Sequence, residues 1–123
     1  MYKRYIVEIG MGVDQHGHKK NPTNAAVKAI KNAISNNCLV GLADIVGMKS
    51  PADMQVDVLI AVPYPENIDR EGVLAAIPFG SKNLTVVKGG MTTSGLPVPA
   101  LGDTDGEVLV ATASVTVNVK VNE

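Results

Sequence analysis

Aromatic side chains are almost missing from this chain: no tryptophan, one phenylalanine and three tyrosines in 123 residues. A core here must be built from Val, Ile, Leu, Ala and Met, and β-branched aliphatics suit a sheet. Cysteine is equally scarce. Cys38 stands alone, which rules out an internal disulfide and fits a reducing compartment. Beside Leu39 and Val40 it reads as a small buried hydrophobe. No apolar run approaches the roughly 20 residues of a membrane helix. Met1-Tyr2-Lys3-Arg4-Tyr5 leads into alternation rather than an apolar signal core. A cytoplasmic location is expected. Charge of one sign is also lacking, the net being −1. Tracking phosphates takes a basic stripe, and the only basic cluster is His16, His18, Lys19 and Lys20. Neither nucleic acid nor a membrane is expected as a partner.

What is present is a globular composition, 46% hydrophobic and 19% charged, enough for one α/β domain over residues 1–123. Residues 3–13 alternate with period two and predict a strand. Gly10 and Gly12 share one of its faces, where a second backbone or a ligand would approach closely. Asn21-Pro22 opens a helix predicted to about Asn36, with Ala26, Val27, Ile30, Ala33 and Ile34 on one side. Residues 38–53 fit either a short helix or an edge strand. Residues 54–62 form a second strand, closed by Pro63-Tyr64-Pro65. A short helix fits 69–77, and a third strand fits 84–88. Residues 89–106 read as a long loop. The last strand, 107–121, changes its apolar phase midway. A bulge near Val110–Ala111, or a start buried on both faces, would reconcile the two halves. At about 3.3 Å per residue so long a strand must bend or leave the body.

Two stretches carry candidate chemistry. Asp14, His16 and His18 stand at alternate positions, so an extended chain points them to one side. Carboxylate and imidazole suit a divalent metal, zinc or manganese, with a further ligand from Glu8, Glu66 or a neighbouring subunit. His16 and Asp14 are equally candidates for proton transfer without a metal. The same residues also fit an ordinary polar turn in which Asp14 caps backbone N–H groups. The second stretch is Lys88-Gly89-Gly90 with Thr92 and Thr93. Paired glycines permit a nest of N–H groups for an anion, or simply a turn. Tyr64, Glu66 and Arg70 can line a pocket after the second strand, or lie exposed.

Several motifs, among them Ile9-Gly10-Met11-Gly12-Val13-Asp14-Gln15-His16-Gly17, Val62-Pro63-Tyr64-Pro65 and Gly89-Gly90-Met91, resemble the Lin-type family of small conserved hypothetical proteins. That likeness covers nearly the whole chain and brings no function. The spacing from Ile9 to His16 also resembles the first-strand motif of methylerythritol cyclodiphosphate synthases. This second likeness implies a metal on Asp14 and His16 at the subunit interface of a trimer. The matching third ligand, a His on the next helix, has no counterpart in residues 22–36. It also implies a chorismate-mutase-like α+β fold: a two-layer β-α-β-α-β-β sandwich, with a mixed four-stranded sheet and helices on one face. Two functions stand open. One is a metal-assisted small-molecule enzyme, a lyase or hydrolase with sites between subunits. The other is a non-catalytic homo-oligomer that binds a metabolite or a protein.

Overall fold

The structure, a computed structural model, describes residues 1–103 and 105–121. It is a two-layer α+β sandwich. Five strands, β1 (Tyr2–Asp14), β2 (Gln55–Val62), β3 (Ser81–Lys88), β4 (Met91–Ser94) and β5 (Glu107–Lys120), form one mixed sheet. Among the described residues there are three α-helices, α1 (Thr23–Ser35), α2 (Gly41–Asp44) and α3 (Arg70–Leu74), and four short 3-10 turns. The strand order is β1-β5-β2-β3. Only β2 and β3 run parallel. β4 pairs with residues 107–110 of β5, in line with β2, which pairs with residues 112–118.

Expectation and structure differ at several points. The sheet has five strands rather than four, because residues 91–94 of the expected loop pair with β5. β5 does not leave the body, since β1 pairs along it from Leu109 to Lys120. It carries no bulge near Val110. Its start is buried on both faces, with Leu109, Val110 and Ala111 all shielded. The register shift lies instead in β1, between Arg4 and Ile6. Cys38 is exposed, because α1 has already ended and the chain turns outward there. The helix expected over 69–77 is shorter, with Asp69 capping it through the Gly72 N–H.

α1 sits where its sequence places it. The Asn21 carboxamide oxygen accepts the Thr23 N–H at its start, and Asn36 closes its end. Ala25, Ala26, Ala29, Ile30 and Ala33 are its buried face. They meet Gly10 and Gly12 so closely that a Cβ on Gly12 would stand 2.2 Å from the Ala25 carbonyl oxygen. The helix backbone therefore lies directly on the strand backbone, as two glycines on one face suggested. Val56, Val58, Ile60, Val62, Val115 and Val117 complete the core beneath the helices. Burying each such side chain contributes about 1.5–3 kcal/mol.

The opposite face of the sheet has no helix. Val7, Ile9, Met11 and Val13 of β1 lie on it, across from Thr116, Ser114, Thr112 and Val110 of β5. Leu59 of β2 continues the row. Ile9 is 67% exposed and Met11 58%. The outer strands are tied to the helical layer. The Asn32 side chain accepts the Met11 N–H, Lys28 donates to the Val13 carbonyl, and Arg70 donates to the Leu84 carbonyl.

Candidate functional site

β1 ends, β2 ends and β5 begins at the same end of the sheet. The polar residues just beyond those points meet there. Asp14, the last residue of β1, is 2% exposed. Its Oδ1 accepts the His16 N–H at 3.1 Å, and its Oδ2 takes the Nδ1 of His18 at 2.5 Å. The His16 ring turns away to Asp103, with Nδ1 3.2 Å from Oδ2. The two imidazoles stand 6.5 Å apart and almost perpendicular. A carboxylate acceptor at Nδ1 fixes the proton there and leaves Nε2 as the basic nitrogen. For His18, the Asn24 side-chain nitrogen lies 3.4 Å from Nε2, as a donor to a free lone pair would.

The turn that delivers His18 is unusual. Gly17, His18, Lys19 and Lys20 all have positive φ, at 63°, 41°, 55° and 66°. This is a single left-handed turn closed by Lys20 N–H to Gly17 O at 2.9 Å. A side chain in that region costs about 1–2 kcal/mol per residue. Gly17 is required twice over, because a Cβ there would also stand 2.5 Å from the Glu107 carbonyl oxygen. Tyr64 is left-handed too, at φ 52°. Its hydroxyl donates to Glu107 at 2.8 Å, and Lys20 reaches that hydroxyl at 3.3 Å. The Tyr64 hydroxyl and then Glu107 hold the Lys20 ammonium above its ordinary 10.5. Strained residues of this kind gather at functional sites.

Of the residues expected to act together, Asp14 and His18 meet side chain to side chain. His16 joins Asp14 only through its backbone, since β1 ends at Asp14 and the chain is no longer extended at His16. Among the described residues no three His, Cys, Asp or Glu side chains converge as a metal site. Glu8 and Glu66 line other cavities. Lys88, Gly89, Gly90 and Thr92 do share a cleft of about 340 Å³ with Tyr64 and Glu66. The Gly89 N–H, however, is taken by the Val62 carbonyl at 3.0 Å. Thr93 belongs to β4, opposite Val108, and Arg70 binds Leu84 instead. Asp103 and Glu107 lie about 90 residues along the chain from the turn, and no local pattern marks them.

Asp103 also anchors its own loop by accepting the Val98 N–H at 2.7 Å. That bond, and then the His16 ring, hold its carboxyl below the ordinary 3.8. A depressed carboxyl stabilises the folded state above its unfolded value, and the effect is lost as pH falls through the folded one. Hydrogen exchange at the Val98 amide is therefore expected to quicken, beyond its intrinsic pH dependence, once the pH drops below 3.8. The Asp103→Asn variant is expected to lack that step. An identical profile in both would show that the carboxylate is not the anchor.

A crystal structure described as a FtsZ-like protein of unknown function, from Nostoc punctiforme, is 48% identical and superposes with a TM-score of 0.85. The match covers 97% of each chain. No functionally curated protein matches. The model of the conserved hypothetical family Lin0512 matches residues 4–117, and the chain belongs to that family.

Proposed function

We propose that the end of the sheet around His18 is an acid–base site for a small polar molecule. The observation that carries this is the Asp14–His18 pair. A shielded carboxylate holds Nδ1 at 2.5 Å, while the imidazole borders a cleft of about 320 Å³ with Asn21, Thr23, Asn24 and Asp69. In this reading Asp14 orients His18, and a bound hydroxyl or water that displaces the Asn24 amide gives its proton to His18 Nε2. His16, held at Nδ1 by Asp103, would serve as the partner acid in its doubly protonated form, its ring centre 6.5 Å from that of His18. Such proton transfer serves a lyase or a hydrolase. Lys88, Gly90 and Thr92, in the cleft beside Tyr64, would hold an anionic group. Zinc or manganese on Asp14, His16 and His18 would have to break the Asp14–His18 bond and recruit a donor from elsewhere. The acid–base reading needs neither.

Nitrogen NMR of the histidines tests this without a known substrate. The neutral His18 ring is expected to carry its proton on Nδ1, and Asp14→Asn is expected to shift the balance toward Nε2. A neutral His18 protonated on Nε2 in the unaltered protein would remove the base. Stoichiometric zinc or manganese in purified protein, lost in Asp14→Ala, would replace this reading with a metal site.

A second reading concerns assembly and rests on the bare sheet face. Monomers rarely expose contiguous apolar patches of more than a few hundred Å². Val7, Ile9 and Met11 form an exposed apolar row along β1, and Leu59 lies across Ser114 from Ile9. In the proposed homo-oligomer this face is covered by other copies of the chain, and a trimer accords with the chorismate-mutase-like resemblance.

A further inference from the structure

We propose that the gap in the helical layer over Glu8 is a binding site for a small apolar molecule that carries one cationic, hydrogen-bond-donating group, such as an amine. The site is separate from the Asp14–His18 pair, because Glu8 lies six positions earlier on β1, about 20 Å along the strand. α1 covers Gly10 and Gly12, but it ends at Ser35. Beyond its end the sheet is roofed only by α2 and the irregular chain to Met54. A cavity of about 520 Å³ remains beneath. Its walls are mostly apolar, with Ile34, Leu42, Met48, Val56 and Ile77 among them, and Lys49, Ser50 and Asn37 also line it. The volume lies in the range of small-molecule sites, about 300–1,000 Å³.

Glu8 supplies the specificity. It is 5% exposed and stands opposite Val115 in the sheet, on the helix-covered face. Asn37 donates to its Oε2 at 3.0 Å. Among the described residues Oε1 receives no hydrogen bond, and no cation pairs with the carboxylate. An ionised carboxyl offers about four acceptor positions, so one amide leaves most of them open. A charge within an apolar wall is costly unless it is paired. Lys49 also lines the cavity but forms no ion pair with Glu8 among the described residues, so the open acceptor positions are free to take a ligand cation from the cavity. A primary amine fits this position, with its alkyl or aryl body against the aliphatic walls. A carboxylate of the same shape would meet repulsion instead.

Calorimetry on the full chain with octylamine, octanol and octanoate tests the assignment. Octylamine is expected to bind saturably, at least about tenfold tighter than octanoate. Glu8→Gln is expected to remove that preference while leaving octanol binding in place. Cys38, exposed at the cavity rim, is expected to react more slowly with iodoacetamide when octylamine is bound. Should Glu8→Gln fail to fold, Ala43→Trp decides. Ala43 is exposed on α2 at the cavity wall, so an indole there blocks the mouth and is expected to abolish amine binding. No saturable octylamine binding, octanoate binding as tightly, or full amine affinity in folded Glu8→Gln or Ala43→Trp would each overturn the proposal.

Discussion

Gly12→Val is expected to leave little or no folded protein at room temperature, and Gly10→Val likewise. A Cβ on Gly12 would stand 2.2 Å from the Ala25 carbonyl oxygen and 2.4 Å from the Ala29 nitrogen. On Gly10 it would meet the Ala29 oxygen at 2.2 Å and the Ala33 nitrogen at 2.4 Å. These neighbours are backbone atoms of one helix and cannot rotate aside. α1 would have to lift by more than about 1 Å, which opens close-packed contacts along its whole buried face. Ordinary overpacking costs about 1–3 kcal/mol. Here the loss along α1 adds to it, against a total stability of about 5–15 kcal/mol. Denaturant unfolding followed by circular dichroism measures the loss. A midpoint close to that of the unaltered protein would mean that α1 does not rest on the strand backbone.

Ile9→Lys is expected to turn the proposed oligomer into a folded protomer of 12.8 kDa. Ile9 sits midway along β1 on the bare face, two positions from both Val7 and Met11, and is 67% exposed. In an isolated chain the substitution changes stability by no more than about 0.5 kcal/mol. Between copies it places an ammonium among the aliphatic side chains and small hydroxyls around Ile9, while Asp57, already bonded to Asn83 and Asn118, lies farther along the same face. Four strands of about eight residues, spaced about 4.8 Å apart, project roughly 500 Å². That is of the order of one side of a standard interface, about 800 Å² of accessible surface. Light scattering gives the mass directly. A monomeric unaltered protein, or an unchanged oligomer in Ile9→Lys, would leave the face without the partner proposed for it.

Most of the fold was legible, because period-two and period-3.6 patterns report local geometry directly. Val56, Val58, Ile60 and Val62 alternate without interruption, and β2 begins within one residue of the expected position. Asn21-Pro22 and Asn36 bracket α1 as expected. β4 was not legible, since Met91-Thr92-Thr93-Ser94 has no alternation and all four residues are exposed. Only β5 makes it a strand. In β1 the apolar residues line the uncovered face, while Glu8, Gly10, Gly12 and Asp14 face the helices. Alternation fixes that two faces exist, not which one a helix will cover. At the candidate site the motif put Asp14, His16 and His18 on one side, whereas only His18 meets Asp14 side chain to side chain. Two lysines and a histidine in left-handed conformation carry no signature, so nothing showed that His18, rather than His16, would swing back to the Asp14 side chain. The cavity over Glu8 was equally hidden, because it depends on where α1 stops relative to a strand it does not adjoin in sequence.

The ties on the outer strands bear on what shape an assembly can take. A sheet with free margins can recruit further strands and grow without limit, as fibrils do. At β1 the amide of Met11 and the carbonyl of Val13 are already engaged by Asn32 and Lys28, and on β3 Arg70 engages Leu84. An incoming chain would have to displace these ties before it found a register. Lateral growth at these two margins is thereby disfavoured, which would favour a closed particle in the proposed assembly through the bare face.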